Sequence, residues 1–200
     1  MLLKTKKVIL ASASPRRREL LQQIEISFEV VVSDVDENLD SIEGSIINKI
    51  EVLALKKASK VVEDLMDRTD CKDCLVIGAD TVVLSKDERV FGKPTDRDDA
   101  FSMLKELSGN SHKVVTGVAI VDCKSNKHIT GSEVTEVFFD NISEEEIEAY
   151  LDTFEYIDKA GAYAIQGIAN KFIRGINGCY SNVVGLPLNK LKRMIEELIL

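Results

Sequence analysis

Tryptophan is absent from the 200-residue chain, aromatics make up only 6% of it, and it has three prolines and two histidines. Fibrous, low-complexity and disordered classes are excluded, because 44% of the residues are hydrophobic and 30% charged, the balance of an ordinary folded domain. Positive charge is in deficit: 26 Lys and Arg stand against 34 Asp and Glu, a formal net charge of −8. A chain that tracks the phosphates of DNA or RNA needs clustered cations, so a nucleic-acid partner is disfavoured. No apolar run is long enough to span a bilayer. The basic stretch from Met1 to Lys7 leads into a run that stops at Ser12 and Pro15, too short for a signal core, so the cytoplasm is the expected location and no membrane partner is expected.

Cysteine is scarce too: Cys71, Cys74, Cys123 and Cys179. Cys71 and Cys74 form a C-x-x-C, which serves redox chemistry or half of a zinc site. No second pair or nearby histidine completes four ligands, so free, reduced thiols are expected. At this length the chain can bury its own core, either as one domain or as one core in two lobes.

The apolar patterning alternates strands and helices. Val8–Ala11 reads as a strand, Arg16–Gln23 as a helix with Leu20, Leu21 and Ile24 inward, and Phe28–Val32 as a second strand running into the acidic segment Ser33–Asn38. Ser45–Asp67 is a long amphipathic helix, its apolar side marked by Ile46, Ile50, Leu53, Ala54, Val61 and Leu65. Leu75–Ala79 and Thr81–Leu84 read as strand on either side of Asp80, followed by the turn Lys86–Glu88 and a short Val90–Phe91. Arg97–Leu107 is predicted helical, with Asp98 and Asp99 placed favourably at the positive dipole end. Val114–Val121 and Ile129–Phe139 form a predicted antiparallel hairpin, Ser143 with Glu146 a capping box, and Leu188–Leu198 a last amphipathic helix after Pro187. The expected class is α/β, with a mixed, twisted sheet and flanking helices.

Several segments carry chemistry-bearing residues. In Ser12-Ala13-Ser14-Pro15-Arg16-Arg17, Ser14 fits an N-cap and Pro15 the first helical position. Two arginines there oppose the helix dipole, which points to a bound anion such as a triphosphate, although a solvated basic turn with an ordinary cap has the same pattern. Asp34-Val35-Asp36-Glu37 puts carboxylates at a strand end; by itself this is equally a soluble turn. Asp80, inside Gly78-Ala79-Asp80-Thr81, interrupts an apolar run. A buried carboxylate needs a partner, a metal or a catalytic task unless a bulge leaves it solvated. Gly92-Lys93-Pro94 can present an ammonium to a phosphate. Lys57, four residues from both Leu53 and Val61, either reaches into a ligand site or snorkels to solvent. In Asp158–Gly167, small residues permit close backbone approach and the Gln166 amide can recognise a base edge.

These segments, with Lys57-Ala58, Thr116-Gly117-Val118 and Tyr180–Leu188, fall in order from residue 12 to residue 188 and together resemble the Maf family of nucleoside triphosphate pyrophosphatases, historically called septum-formation inhibitors. The resemblance implies a single domain over residues 1–200, with a long twisted mixed sheet in two lobes around a cleft, similar to the inosine triphosphate pyrophosphatases, and a homodimer. It implies Asp80 as the proton acceptor that activates water, Glu37 and Asp80 on a divalent metal (Mg, with Mn or Co as alternatives), and Ser12, Arg16, Arg17, Lys57 and Lys93 on the phosphates. Arg16, Thr81 and Gln166 are implied in base choice, and the late block resembles the branch that acts on dTTP and UTP. Ala164 and Cys179 depart from that branch, where Gly and Ser are common, and bear on the base rather than on the reaction. A nucleotide-binding regulator of cell division with little turnover is the alternative; both Glu37 and Asp80 being present argues against a pure binder.

Overall fold

The computed structural model describes residues 6–199 and divides into two compact units. The first comprises the segment ending at Asp80, Thr116–Glu133 and the segment from Gly185 onward; the second comprises Thr81–Val115 and Val134–Val184. Seven strands make one mixed sheet, ordered β2-β1-β3-β5-β6-β7 with β4 beside β3. The expected α/β class with flanking helices is what the chain adopts.

In the first unit, β1 (Lys7–Ala11), α1 (Pro15–Gln23) and β2 (Phe28–Val30) form a crossover that leaves the two strands parallel, Val8 opposite Phe28. The strand β3 (Cys74–Leu84) also runs parallel to β1, with Ala11 opposite Gly78. Parallel strands covered on both faces are apolar throughout, and β3 is buried without interruption from Cys74 to Ala79. Above it lies α2 (Ile46–Asp64), whose Ala54, Ala58 and Val61 pack with Ile9, Ala11, Val76 and Ala119. This helix approaches β3 closely: a Cβ on Gly78 would sit 2.2 Å from the Ala54 carbonyl oxygen. Small residues on both sides let the two backbones meet. The unit also holds the end of β5 (Ser111–Asp122), the start of β6 (Lys127–Phe139) and α6 (Leu188–Ile199).

The second unit holds the end of β3, paired antiparallel with β4 (Val90–Phe91), the helices α3 (Arg97–Leu107) and α4 (Glu144–Leu151), β7 (Ile173–Asn177) and the short α5 (Tyr180–Val184). Its core packs Phe91, Leu104, Leu107, Phe139, Ile147, Tyr150, Tyr163 and Phe172 together. Ser143 and Glu146 close the expected capping box at α4. Asp96 caps α3 through Asp99 N.

Element boundaries differ from the sequence reading in places. The second strand stops at Val30, since only Val31 N still bonds back, to Leu10 O at 3.1 Å, and Val32 turns out to solvent. The long helix ends at Asp64; the Leu65 N–H caps it through Val61 O and Val62 O. The strand read on either side of Asp80 is one element, because β3 continues through it. Two elements lay below the sequence signal. In β7, Arg174 and Gly175 dilute the alternation, and the pairing with β6 sets Val137 opposite Ile176. The five residues of α5 are too few to show a helical period.

Candidate active site

The first unit gathers most of the predicted site residues around the end of β1 and the middle of β3. Ser14 caps α1, its Oγ accepting from Arg17 N at 3.5 Å, with Pro15 at the first helical position. The Ser12 Oγ accepts from Ser14 N at 3.2 Å, which folds the turn back on itself. Arg17 points inward. Its Nε donates to Gly185 O at 2.8 Å, and its Nη1 donates to Ser12 Oγ at 3.1 Å and to Ala79 O at 2.9 Å. The guanidinium therefore joins three segments of the chain through two backbone carbonyls and the Ser12 hydroxyl, one of the carbonyls belonging to the residue before Asp80. Burial lowers its pKa, the nearby Asp80 and Glu37 charges oppose that shift, and Arg16 adds to it. Arg16 itself is half-buried beside it.

The acidic loop divides its tasks. Asp36 Oδ1 accepts from Asn38 N at 3.0 Å and Asn38 Oδ1 accepts from Asp40 N at 2.9 Å, so these side chains shape the turn. Glu37 instead reaches Lys57, Oε1 to Nζ at 2.6 Å. The same ammonium donates to Asp80 Oδ1 at 2.6 Å. Lys57 does not snorkel to solvent; it is buried and bridges two carboxylates. The close contact of α2 with Gly78 is what makes this possible. Lys57 sits beside Ala58 on the helix and Asp80 two residues beyond Gly78 on the strand, so the two side chains meet beside this close helix-to-strand contact.

The remaining predicted residues belong to the second unit. Thr81, directly after Asp80 on β3, is half-buried; Lys93 and Gln166 are exposed on loops. The loop of Lys93 is joined to the block Asp158–Gly167 by the Gly161 N–H, which donates to Gly92 O at 3.0 Å. Two residues of that block without glycine's freedom, Asp158 (φ 59°) and Ala162 (φ 61°), adopt left-handed backbone. Such conformations persist where surrounding contacts over-determine them.

The C-x-x-C does not act as a pair. Cys74 Sγ lies 2.9 Å from Cys123 Sγ, whereas Cys71 accepts from Lys7 Nζ at 3.7 Å. The Cys74 thiol is pushed up in pKa by its contact with Cys123 and by burial, and Cys123 is lowered by the same contact. No local pattern marks the partner at position 123, which is set by the pairing of β3 with β5.

Among the described residues, no three His, Cys, Asp or Glu side chains converge as a metal site of their own. What is present is a pair of carboxylates, from Glu37 and Asp80, sharing one cation. That donor set fits a magnesium-type ion, which takes one or two protein carboxylates and completes its shell with water and substrate phosphate oxygens.

Residues 7–198 match the family described as Maf-like protein. The chain belongs to the Maf family. Two relatives of this Maf chain are named dTTP/UTP pyrophosphatase. One, from Clostridium botulinum (strain Eklund 17B / Type B), is 48% identical over 96% of this chain and 100% of its own. The other, from Ruminiclostridium cellulolyticum, is 44% identical over 96% of this chain and 95% of its own. A solved HAM1 protein from Coxiella burnetii overlaps 67% of the Maf chain and 73% of its own, with 11% identity and a TM-score of 0.43.

Proposed function

We propose that this Maf-family protein is a nucleoside triphosphate pyrophosphatase that hydrolyses dTTP and UTP to the monophosphate and pyrophosphate. Relatives named dTTP/UTP pyrophosphatase, similar over nearly the full chain, support the reaction. The observation that carries it is the Glu37–Lys57–Asp80 cluster, two carboxylates held on one ammonium, with Asp80 set in an otherwise apolar strand. A protein that only needed a stable fold has no use for that arrangement, because burying such groups costs several kcal/mol, on the order of what their mutual attraction returns.

In this reading Asp80 accepts a proton from water as the water oxygen bonds to the α-phosphorus, and the bond from that phosphorus to the bridging oxygen breaks. Pyrophosphate leaves with the electron pair. Lys57 orients the Asp80 carboxylate through its ion pair with Oδ1. Arg16, Arg17 and Lys93 supply positive charge for the phosphates, while Arg17 also fixes the strand backbone next to Asp80. A divalent ion, magnesium for preference, would be held by Glu37 and Asp80 and would neutralise charge on the phosphate oxygens. The pyrimidine preference is assigned to Arg16, Thr81 and Gln166. The reading includes a house-cleaning role, a cytoplasmic location and a homodimer; among the described residues no helix is long and apolar enough to cross a membrane.

The test is pyrophosphate release from canonical and modified nucleoside triphosphates with magnesium, comparing the unmodified chain with Asp80→Asn. Cleavage of dTTP and UTP by the former, with the latter inactive but still folded and binding nucleotide, supports the reading. An active Asp80→Asn protein would remove the base assignment, and binding without cleavage by the unmodified chain would favour a regulator.

A further inference from the structure

The block that carries Gln166 is held from one side by a residue with no role so far. Glu155 lies eleven positions before Gln166, in the turn that follows α4. Its carboxylate accepts from two successive backbone N–H groups immediately beyond Gln166: Oε2 from Ile168 N at 2.9 Å and Oε1 from Ala169 N at 3.3 Å. The intervening Gly167 has φ +142°, and a Cβ there would lie 2.5 Å from Glu155 Oε2. Gly167 is thus required twice, for its backbone conformation and for the room the carboxylate occupies. A carboxylate that takes two adjacent N–H groups fixes both the position and the orientation of the peptide units it holds. The block itself does not rest in relaxed backbone: Asp158 (φ 59°) and Ala162 (φ 61°) are left-handed, as is Phe154 (φ 58°) just before Glu155, so contacts from outside must select the conformation. The Gly161-to-Gly92 hydrogen bond anchors the block near its start, and Glu155 anchors it at its end. Tyr150, buried beneath, has its hydroxyl pKa raised by burial and further by the Glu155 charge, which places that charge close to the core of this unit.

We propose that Glu155 is a positioning residue for base selection: by clamping the Ile168 and Ala169 amides it holds Gln166 in the orientation that reads the pyrimidine edge. This rests on the pyrophosphatase reading and on Gln166 as a base-selecting group. Glu155 touches no substrate in this role, so its loss acts on selectivity and KM, while kcat, set by the Asp80 cluster, is nearly unchanged.

The experiment uses the full chain and measures kcat and KM for UTP, dTTP, ATP and GTP in the unmodified protein, Glu155→Ala, Glu155→Gln, Gln166→Ala and the Glu155→Ala/Gln166→Ala pair. Glu155→Ala is expected to cut the pyrimidine-over-purine ratio of kcat/KM about tenfold, the scale of losing a charge-assisted pair of hydrogen bonds. Glu155→Gln, which retains one carbonyl acceptor at the same reach, is expected to restore much of the ratio. In the Gln166→Ala background, Glu155→Ala should change the ratio no further. A scaffold role alone would lower thermal stability or kcat for all four nucleotides and leave the ratio intact, and that result overturns the proposal. So does an additive double variant. If Gln166→Ala leaves the ratio unchanged, the base-selection reading falls and the inference falls with it; if Gln166→Ala changes it and Glu155→Ala does not, only the clamp is wrong. Amide hydrogen exchange gives a readout independent of turnover: the Ile168 and Ala169 amides must exchange faster in Glu155→Ala, and unchanged protection contradicts the clamp directly.

Discussion

Replacing Lys57 by Met preserves the length and most of the apolar stem of the side chain while removing its charge. The Lys57 side chain is 7% exposed and its partners Asp80 and Glu37 are 15% and 50% exposed. Without the ammonium, Asp80 is left as a largely buried carboxylate with a second carboxylate nearby. Stranding one member of a buried pair costs about 3–5 kcal/mol. Glu37 is half-exposed and can turn to water, which favours the lower end, so we expect a loss of about 3 kcal/mol. For a chain of this length the urea dependence is near the upper end of about 1–3 kcal/mol per molar, which converts that loss to a midpoint lower by about 1 M. The assay is urea unfolding at pH 7, followed by circular dichroism, for Lys57→Met, Asp80→Asn and the double variant. The double variant should recover at least half of the Lys57→Met loss, because the stranded group is then a neutral amide. A midpoint shift for Lys57→Met below about 0.3 M, or losses that simply add in the double variant, would show that the ammonium is not holding the two carboxylates.

Three further outcomes follow from the same geometry. Arg17→Lys replaces a fork serving Gly185 O, Ser12 Oγ and Ala79 O with a single ammonium that cannot reach all three, so stability should fall by about 2 kcal/mol in urea unfolding and kcat/KM for UTP should fall with it. Gly78→Ala drives a methyl group into the Ala54 carbonyl and should cost about 1–3 kcal/mol, while pushing α2 away from β3 and lowering turnover; an unaffected variant would mean the helix moves freely. His112 is 2% exposed, packs edge-on against Phe139 and Tyr163, and burial lowers its pKa to about 4. Its neutral form is the folded one: its contribution is fully present above the unfolded value of about 6.5 and is lost as pH falls towards 4, about 3 kcal/mol across that window. The loss should be visible as a falling melting temperature between pH 6.5 and 4 and largely absent in His112→Phe, which keeps the ring packing.

Much of the fold was legible because its signals are local. Ser14 with Pro15, Ser45, and Ser143 with Glu146 mark helix starts through hydrogen bonds that span three residues, and the helix over Arg97–Leu107 follows its apolar period residue for residue. Asp80 was conspicuous as a carboxylate in an apolar run. The sequence could not say whether the chain would break there, since a bulge and a paired buried Asp look alike until the partner is placed. That partner, Lys57, was itself read two ways, as a ligand group or as a snorkelling lysine; its position on α2 was clear, but not what lay opposite. Glu155 gave no signal at all, because an isolated glutamate in a polar turn is ordinary and its two amide partners lie thirteen and fourteen residues away.

The sequence alone therefore determined the α/β class, the helix and strand order in its stronger segments, and the family, because each depends on short-range pattern or on motifs kept in order along the chain. Tertiary structure decided the electrostatics. Only the approach of α2 to β3 at Gly78 puts one ammonium on two carboxylates, and only the return of the chain at Gly185 gives Arg17 its third acceptor. Charges and hydrogen bonds act over a few ångströms of space, and the residues that meet there are 20 to more than 160 positions apart in sequence.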